Sequence, residues 1–598
     1  MNFSLNRSVR PVGSPVSVAA WPCAIAHQPA SPPRRWRGGS NRGFTLVEML
    51  VAMAVTLLLM AALGKGFAYI GESIRDSRVQ VELTNDLRDV TNRLQEDLTR
   101  CTVPMQPSRE GSEPDGYFMY YEGPVTDATS SLFLSVNDPK NPAPESRYGD
   151  FDDYLAFTAV ATGDNWFTGM VPRFILDQKT AELAGTAYNP NTLTMNDPVM
   201  IRSKYAEIVY FASPEYQAGL QYVDVDANGL PDRLRIHRRV LLIRPDLNIT
   251  TGAQPPRLPR LNAGSDWLLG MAQLHQDCDL SLRRVSTNGI PDPAGAVAAN
   301  SLADLAKPHN RFAHVRVPGG TVGLGNEYTS MPILALSPPA TVLTSSTIAP
   351  PAMTTSSQPV VTPDRWSGFL RPEFVLAGVR IGEDVLVPSA VGFDIKIFDP
   401  LAPVITTSTG VVVSSSDPAF RQALREVTSG TASVIQGDFV DLMYPVLAGG
   451  SLRGWQPRSP DRLTAQDAGF SSPAVAATLV TPFSGLVGIG IPATAYQPSL
   501  YRSGKVLVAG SIQIFQPTWD TFTQHYERDG LQQGLGRWRV ADFGSPDANA
   551  TGLDNSASGS ETSPPFLASP EAIKVSVRLE HRLNRQIRQL SIIHRDTK

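Results

Sequence analysis

One acidic residue, Glu48, stands inside a mostly apolar run from Phe44 to Leu63. A carboxylate that enters a lipid core is costly and is normally tied to a partner or a function. A second set of oxygen-bearing side chains, Asp224, Asp226, Asn228 and Asp232 around Gly229, has the alternating spacing that lets ligands converge on a hard cation. The glycine permits the sharp turn, and the carbonyl of Leu230 would be the seventh-position ligand of a calcium loop. Arg235 stands where the bidentate glutamate would be, so the competing reading is a polar hairpin turn with an Asn-Gly signal. A third group, Asp150, Asp152 and Asp153, precedes the apolar Tyr154 to Phe157 and reads as a solvated strand entrance. Signatures of enzymes are lacking. The eight histidines show no metal-ligand pair spacing, no G-x-S-x-G occurs, and the glycines form no phosphate loop.

The run Arg42-Gly43-Phe44-Thr45-Leu46-Val47-Glu48, followed by 15 mostly apolar residues to Leu63, resembles the signal of type IV prepilins. The resemblance implies a peptidase that cuts after Gly43 and methylates the new amino terminus at Phe44. Glu48 would then be fifth in the mature chain. There it would neutralise the α-ammonium group of a neighbouring subunit and set the axial register during assembly. The plainer alternative is a signal anchor whose glutamate reaches the interface. Another is an ordinary secretory signal at residues 15 to 26, which Pro22 interrupts.

The segment from Met1 to Gly43 carries six arginines and no acid, so it is expected to stay in the cytoplasm as a basic leader while the remainder is exported. Its length and its proline and serine content suggest partial disorder or a misplaced start codon. Taking six from the 52 basic residues leaves 46 against 56 acidic ones, a formal charge of about minus ten. A nucleic-acid-binding surface would lean the other way, so no nucleic acid is expected as a partner. The basic strips Arg233 to Arg244 and Arg578 to Arg595 are interleaved with apolar residues and read as solvated sheet faces. With Cys23 in the leader, Cys101 and Cys278 remain. In an oxidising compartment they allow one disulfide, and two buried thiols are the alternative.

The elements that must position these residues begin with a helix. Ile74, Val81, Leu83, Leu87, Val90, Leu94 and Leu98 recur at mostly three- or four-residue steps and form an amphipathic seam. No proline lies between Phe44 and Val103, so one helix over 44–103 is expected, roughly 80 Å long. Gly64, Gly66 and Gly71 are a weak point in it, and Pro104 marks its end.

Beyond it, 50 prolines and 47 glycines point to a loop-rich β head over 104–598. Strands are expected at Tyr205 to Ala212, Leu234 to Ile243, Ala390 to Phe398, Ala572 to Leu579 and Gln586 to His594, with His237 half-buried in the second. This order is similar to that of J-type minor pseudopilins and W-type minor pilins. It implies an α+β fold in which a long N-terminal helix packs on an antiparallel pilin-type sheet. The core would be about 205–244, 390–399 and 572–594, interrupted by large insertions at about 245–389 and 400–570. Thr341 to Thr362 and Ser545 to Ser569 have the composition of flexible surface loops.

Function follows as a non-enzymatic, minor subunit of a type IV pilus or type II secretion pseudopilus. The head would lie in the periplasm before incorporation, or at the cell surface after it. Partners implied by the resemblance are other pilins, the prepilin peptidase, the inner-membrane assembly platform and the membrane, with Ca2+ a possible cofactor of the 224–232 loop. The rivals are a filament-tip adhesin or DNA-uptake pilin, and an envelope enzyme tethered by a pilin-like anchor.

Overall fold

An apolar run without proline, continued by a heptad-like seam, folds as one helix, α1 (Leu46–Thr99), in the computed structural model of the chain. Residues 44–105 and, with gaps, 115–595 are described. Outside lie 1–43, 106–114, 123–148, 223–233, 329–369, 443–505, 522–569 and 596–598, together with shorter gaps. Two units separate between Ser73 and Ile74. The first holds the apolar part of α1, whose side chains are exposed and which is long and apolar enough to cross a membrane.

In the second unit α1 buries Val79, Leu83, Leu87, Val90, Leu94 and Leu98 in the same core as the sheet. The seam differs from the expected one at its start. Ile74 is 51% and Val81 60% exposed, while Val79, one turn before Leu83, takes the inward position. Steps of four and three keep residues on one face of a 3.6-residue turn, and a two-residue step to Val81 does not.

The main sheet has ten strands: β1 (Phe118–Tyr121), β2 (Tyr154–Val160), β3 (Tyr205–Pro214), β4 (Leu234–Leu242), β5 (Val385–Thr406), β6 (Val412–Val413), β7 (Ser433–Val440), β8 (Thr518–Asp520), β9 (Ala572–Glu580) and β10 (Ile587–Arg595). The order is β8-β1-β2-β3-β4-β5-β9-β10, with β6 and β7 also pairing on β5. The β3 and β4 strands pair antiparallel from Ala206↔Leu242 to Pro214↔Leu234. The terminal hairpin joins this sheet through Ile395↔Val575, far from it in sequence. On β9, Ile573, Val575, Val577 and Leu579 are all buried, as their alternation predicts.

Five strands of this sheet lie outside the core expected from sequence. Strands β1 and β2 precede residue 205, and β6, β7 and β8 come from the stretch 400–570, which was expected to be an insertion. Trp519 of β8 is fully buried against Phe118 of β1. The stretch after β4 likewise enters the core through Leu258, Cys278, Leu280 and Phe312. An α+β architecture of one long helix and a large antiparallel sheet is therefore present.

Strand β5 spans 22 residues and uses its length in sections. Its first part pairs with β4, and β7 begins at Ile397↔Val440. Between these two pairings the segment just before β2 lies along it: Gly149 N–H donates to Val391 O (2.8 Å) and Phe393 N–H to Asp150 O (2.7 Å). Gly392 permits this approach, because a Cβ there would stand 3.2 Å from the Asp150 carbonyl oxygen and 3.1 Å from Arg578 Cβ.

Candidate functional site

At the start of α1, Thr45 and Glu48 bond reciprocally. Glu48 N–H donates to Thr45 Oγ1 (3.2 Å), while the backbone N–H (2.9 Å) and hydroxyl (3.0 Å) of Thr45 donate to Glu48 Oε2. This is a capping box, the T-x-x-E pattern in which two otherwise unsatisfied N–H groups of the first turn find acceptors. The sequence carried that signal. Phe44 and Glu48 are both exposed, and Gly43 lies outside the described residues.

The acids before β2 are not a solvated entrance. Asp150, Asp152 and Asp153 are all buried, and they converge with Glu122, Asp394 and Asp441. Extending the β1–β2 register beyond Tyr121↔Tyr154 sets Glu122 opposite Asp153. Ile395 N–H donates to Asp153 Oδ2 (2.6 Å), and Tyr120 donates its hydroxyl toward Glu122 Oε2 and Ile395 O. Carboxylate oxygens of Glu122, Asp150 and Asp153 lie within 4.8 Å of one another, as do those of Asp150, Asp394 and Asp441. Lys396 Nζ sits 2.7 Å from Asp394 and 3.0 Å from Asp441. Burial pushes the Glu122 and Asp150 carboxyls well above the usual range, Asp153 adding the next largest effect on each. The local pattern was legible only as acids before a strand; their burial comes from Gly149 and Asp150 docking on β5.

The basic strip on β4 also turns inward, correcting the expectation of a solvated face. Asp97 of α1, fully buried, accepts Tyr210 Oη–H (2.5 Å), Arg238 Nε–H (2.6 Å) and Arg238 Nη2–H (3.0 Å). Arg239 is buried near Asp279 (3.4 Å) and donates to the His275 carbonyl (2.8 Å). Strand β10 does present an exposed face, as expected of the second strip.

His237 is fully buried rather than half-buried. Its Nε2 is 2.8 Å from Ser213 Oγ and its Nδ1 3.2 Å from Asp384 Oδ1, the order of a Ser-His-Asp relay. Burial raises the Asp384 carboxyl, but His237 and Arg239 together hold it below the ordinary range. The serine hydroxyl has a rival acceptor in Pro214 O (3.2 Å) and is itself fully buried. A cavity of about 270 Å³ reaches Asp384, Arg239, Arg380 and Asp279; neither Ser213 nor His237 lines it. The arrangement ties β3, β4 and the start of β5 together, and no single stretch of sequence could have revealed it.

Of the two alternatives for Cys101 and Cys278, the structure holds the buried thiols and not the disulfide. The Cys101 backbone makes an isolated antiparallel bridge with Ala159 of β2, and Cys278 follows helix Leu269–Asp277, where burial pushes its thiol up to about 12. Asp224, Asp226, Asn228, Leu230 and Asp232, the expected calcium loop, lie outside the described residues. The short pair Tyr216–Gln217 and Gln221–Tyr222 stands between β3 and that segment.

Residues 39–64 match the model of the prokaryotic N-terminal methylation motif. The match covers Gly43, Phe44 and Glu48 and the start of α1, and it supports a type IV pilin-like, prepilin-cleaved protein anchored in a membrane by that helix. Processing by a prepilin peptidase and assembly with other pilins are what such a motif implies. No curated protein and no solved structure matches the chain.

Proposed function

We propose that the protein is a non-enzymatic minor subunit of a type IV pilus or type II secretion pseudopilus, cleaved after Gly43 and assembled through α1. The observation that carries this reading is the methylation motif over 39–64 meeting the start of an exposed, membrane-length apolar helix. The motif needs a helix that stays accessible to neighbours, and in the first unit no side chain of that helix is spent on an intramolecular core.

The size of the head supports a minor position. Roughly five hundred residues follow α1. Identical heads of that bulk would be hard to repeat at the tight axial rise of a filament, whereas a tip or initiating complex accommodates one. The head's sequence of strands supports a J-type or W-type subunit. Ser213 and His237 are fully buried among the described residues, which supports a structural role for that pair over a catalytic one.

Glu48 has two uses in this reading. In the lone chain it closes the capping box with Thr45. In a filament it would accept the methylated α-ammonium of an adjacent subunit, a charge-assisted contact in a medium without competing water. Mass spectrometry of the mature amino terminus tests the first step and should find N-methylated Phe44; a terminus near Ala26 would refute it. Glu48→Ala should still be inserted and cleaved yet fall sharply in sheared filaments. Incorporation at the wild-type level would overturn the register role.

A further inference from the structure

We propose that Glu122, Asp150 and Asp153 hold one divalent cation of the calcium type inside the head. The donor set is all oxygen, which suits a hard cation and not zinc. One carboxylate oxygen from each residue lies within 4.8 Å of the other two. Ligands placed 2.3–2.6 Å from a calcium ion are at most about 5 Å apart, so the three oxygens can share one ion without rearrangement of the strands.

The backbone fixes these groups from three directions. Glu122 ends β1, Asp153 stands opposite it at the entry to β2, and Asp150 is pinned to β5 through its carbonyl and Phe393 N–H. The Ile395 N–H orients Asp153 through Oδ2, and the Tyr120 hydroxyl orients Glu122 through Oε2. Hydrogen bonds of this kind to ligand carboxylates fix their direction toward a metal.

An overlapping trio, Asp150, Asp394 and Asp441, does not compete for the ion. Lys396 already places its ammonium between Asp394 and Asp441 and would repel a second cation there. The ion is therefore assigned to the Glu122 side, with Asp150 shared by the two trios.

One buried atom points to an occupant. Among the described residues Glu122 Oε1 has no hydrogen-bond partner although the side chain is wholly enclosed, where a buried carboxylate oxygen is ordinarily paired. Magnesium keeps several of its waters and a stricter octahedron, which a dry site of three carboxylates serves less well.

The test uses the full-length chain in detergent micelles, stripped with EDTA and melted at pH 7 against added calcium or magnesium chloride. Calcium should raise the melting temperature in a concentration-dependent way, and magnesium at the same concentration should raise it less. Glu122→Gln and Asp150→Asn keep shape and remove charge. Each should weaken calcium binding about tenfold or more, while melting no lower than wild type in EDTA because repulsion is relieved. Asp226→Ala, in the separate 224–232 segment, should leave the response intact. A wild-type melting curve unmoved by millimolar calcium, a full response in both charge-removing variants, or a response lost in Asp226→Ala would overturn the assignment. Should the variants fail to fold, terbium luminescence excited through tyrosine reads the wild-type site directly, since Tyr120 adjoins it. Sensitised emission displaced by calcium is expected, and no emission, or emission that calcium leaves unchanged, refutes the site.

Discussion

Replacing Asp97 by alanine should detach the last turns of α1 from the sheet. Asp97 is fully buried and accepts three hydrogen bonds, two from the Arg238 guanidinium and one from the Tyr210 hydroxyl. Burial, the largest influence on Arg238, pulls its pKa down, yet Asp97 and Tyr210 together raise it above the ordinary value. The attraction therefore exceeds the desolvation cost on that partner. Removing one member of such a pair leaves a largely buried charge and an orphaned hydroxyl, at a cost of about 3–5 kcal/mol. Arg238 keeps 18% of its side chain exposed, so the lower half of that range is expected. Asp97→Asn retains the shape and loses the charge, and should cost about 1.5–3 kcal/mol. Urea unfolding of the full-length protein in micelles measures both, as a fall in midpoint with the slope unchanged. A double-mutant cycle with Arg238→Ala should return a coupling of about 1–3 kcal/mol. A loss below about 1 kcal/mol for Asp97→Ala, or singles that add without coupling, would refute the lock.

The seam makes a paired expectation: Leu94→Ala, at a fully buried position, should cost about 2–5 kcal/mol, whereas Val81→Ala, at an exposed one, should stay within about 0.5 kcal/mol by the same unfolding assay. His275 supplies a pH dependence. Burial, with Arg239 adding to it, lowers its pKa to about 3. The native state holds the imidazole neutral while the unfolded chain protonates it below about pH 6.5. Its contribution is thus present above that pH and is lost as pH falls toward 3, at about 1.4 kcal/mol per pH unit. His275→Gln should flatten the acid limb of the stability curve by that slope. An unchanged limb would mean that the ring is reached by solvent.

What could be read in the sequence was what nearest neighbours along the chain decide. Gly43 to Glu48 is contiguous, α1 follows from a proline-free apolar pattern, and β3, β4, β9 and β10 follow from alternation between turn residues. Even there, the choice between Val79 and Val81 required knowing which face meets the sheet. The misread groups depend on partners far away in sequence. Asp150 to Asp153 have the local pattern of a wet strand entrance, and only docking of Gly149 and Asp150 on Val391 and Phe393 buries them. Arg238 and Arg239 alternate with apolar residues as a solvated face would, but Asp97 from α1 and Asp279 from beyond β4 draw them inward. Ser213, His237 and Asp384 came together for the same reason, across three strands.

These buried charges also indicate where function is concentrated. An enclosed acid is stable only with a positive partner or a proton. Asp97 has Arg238, Asp520 has Arg311, and Asp394 and Asp441 share Lys396, so each of these is answered from within the chain. Among the described residues Glu122 has the Tyr120 hydroxyl on one oxygen and no hydrogen bond on the other, Lys396 acting on it only as a nearby charge already paired to Asp394 and Asp441, and Glu48 has only its own Thr45. In both, a neutral hydroxyl orients the carboxylate without neutralising it. A carboxyl group held in direction but given no ion-pair partner is prepared for a cation that arrives from outside. For Glu122 the geometry fits a metal ion, which would lock β1, β2 and β5 together. For Glu48 the position fits the amine of another subunit, which would join one helix to the next. The two sites therefore separate experimentally: calcium should stabilise the isolated chain and leave Glu48→Ala fully responsive, while Glu122→Gln should lose the calcium response and still be cleaved after Gly43. If Glu48→Ala abolished the calcium response, the two acids would belong to one site and this division of roles would be wrong.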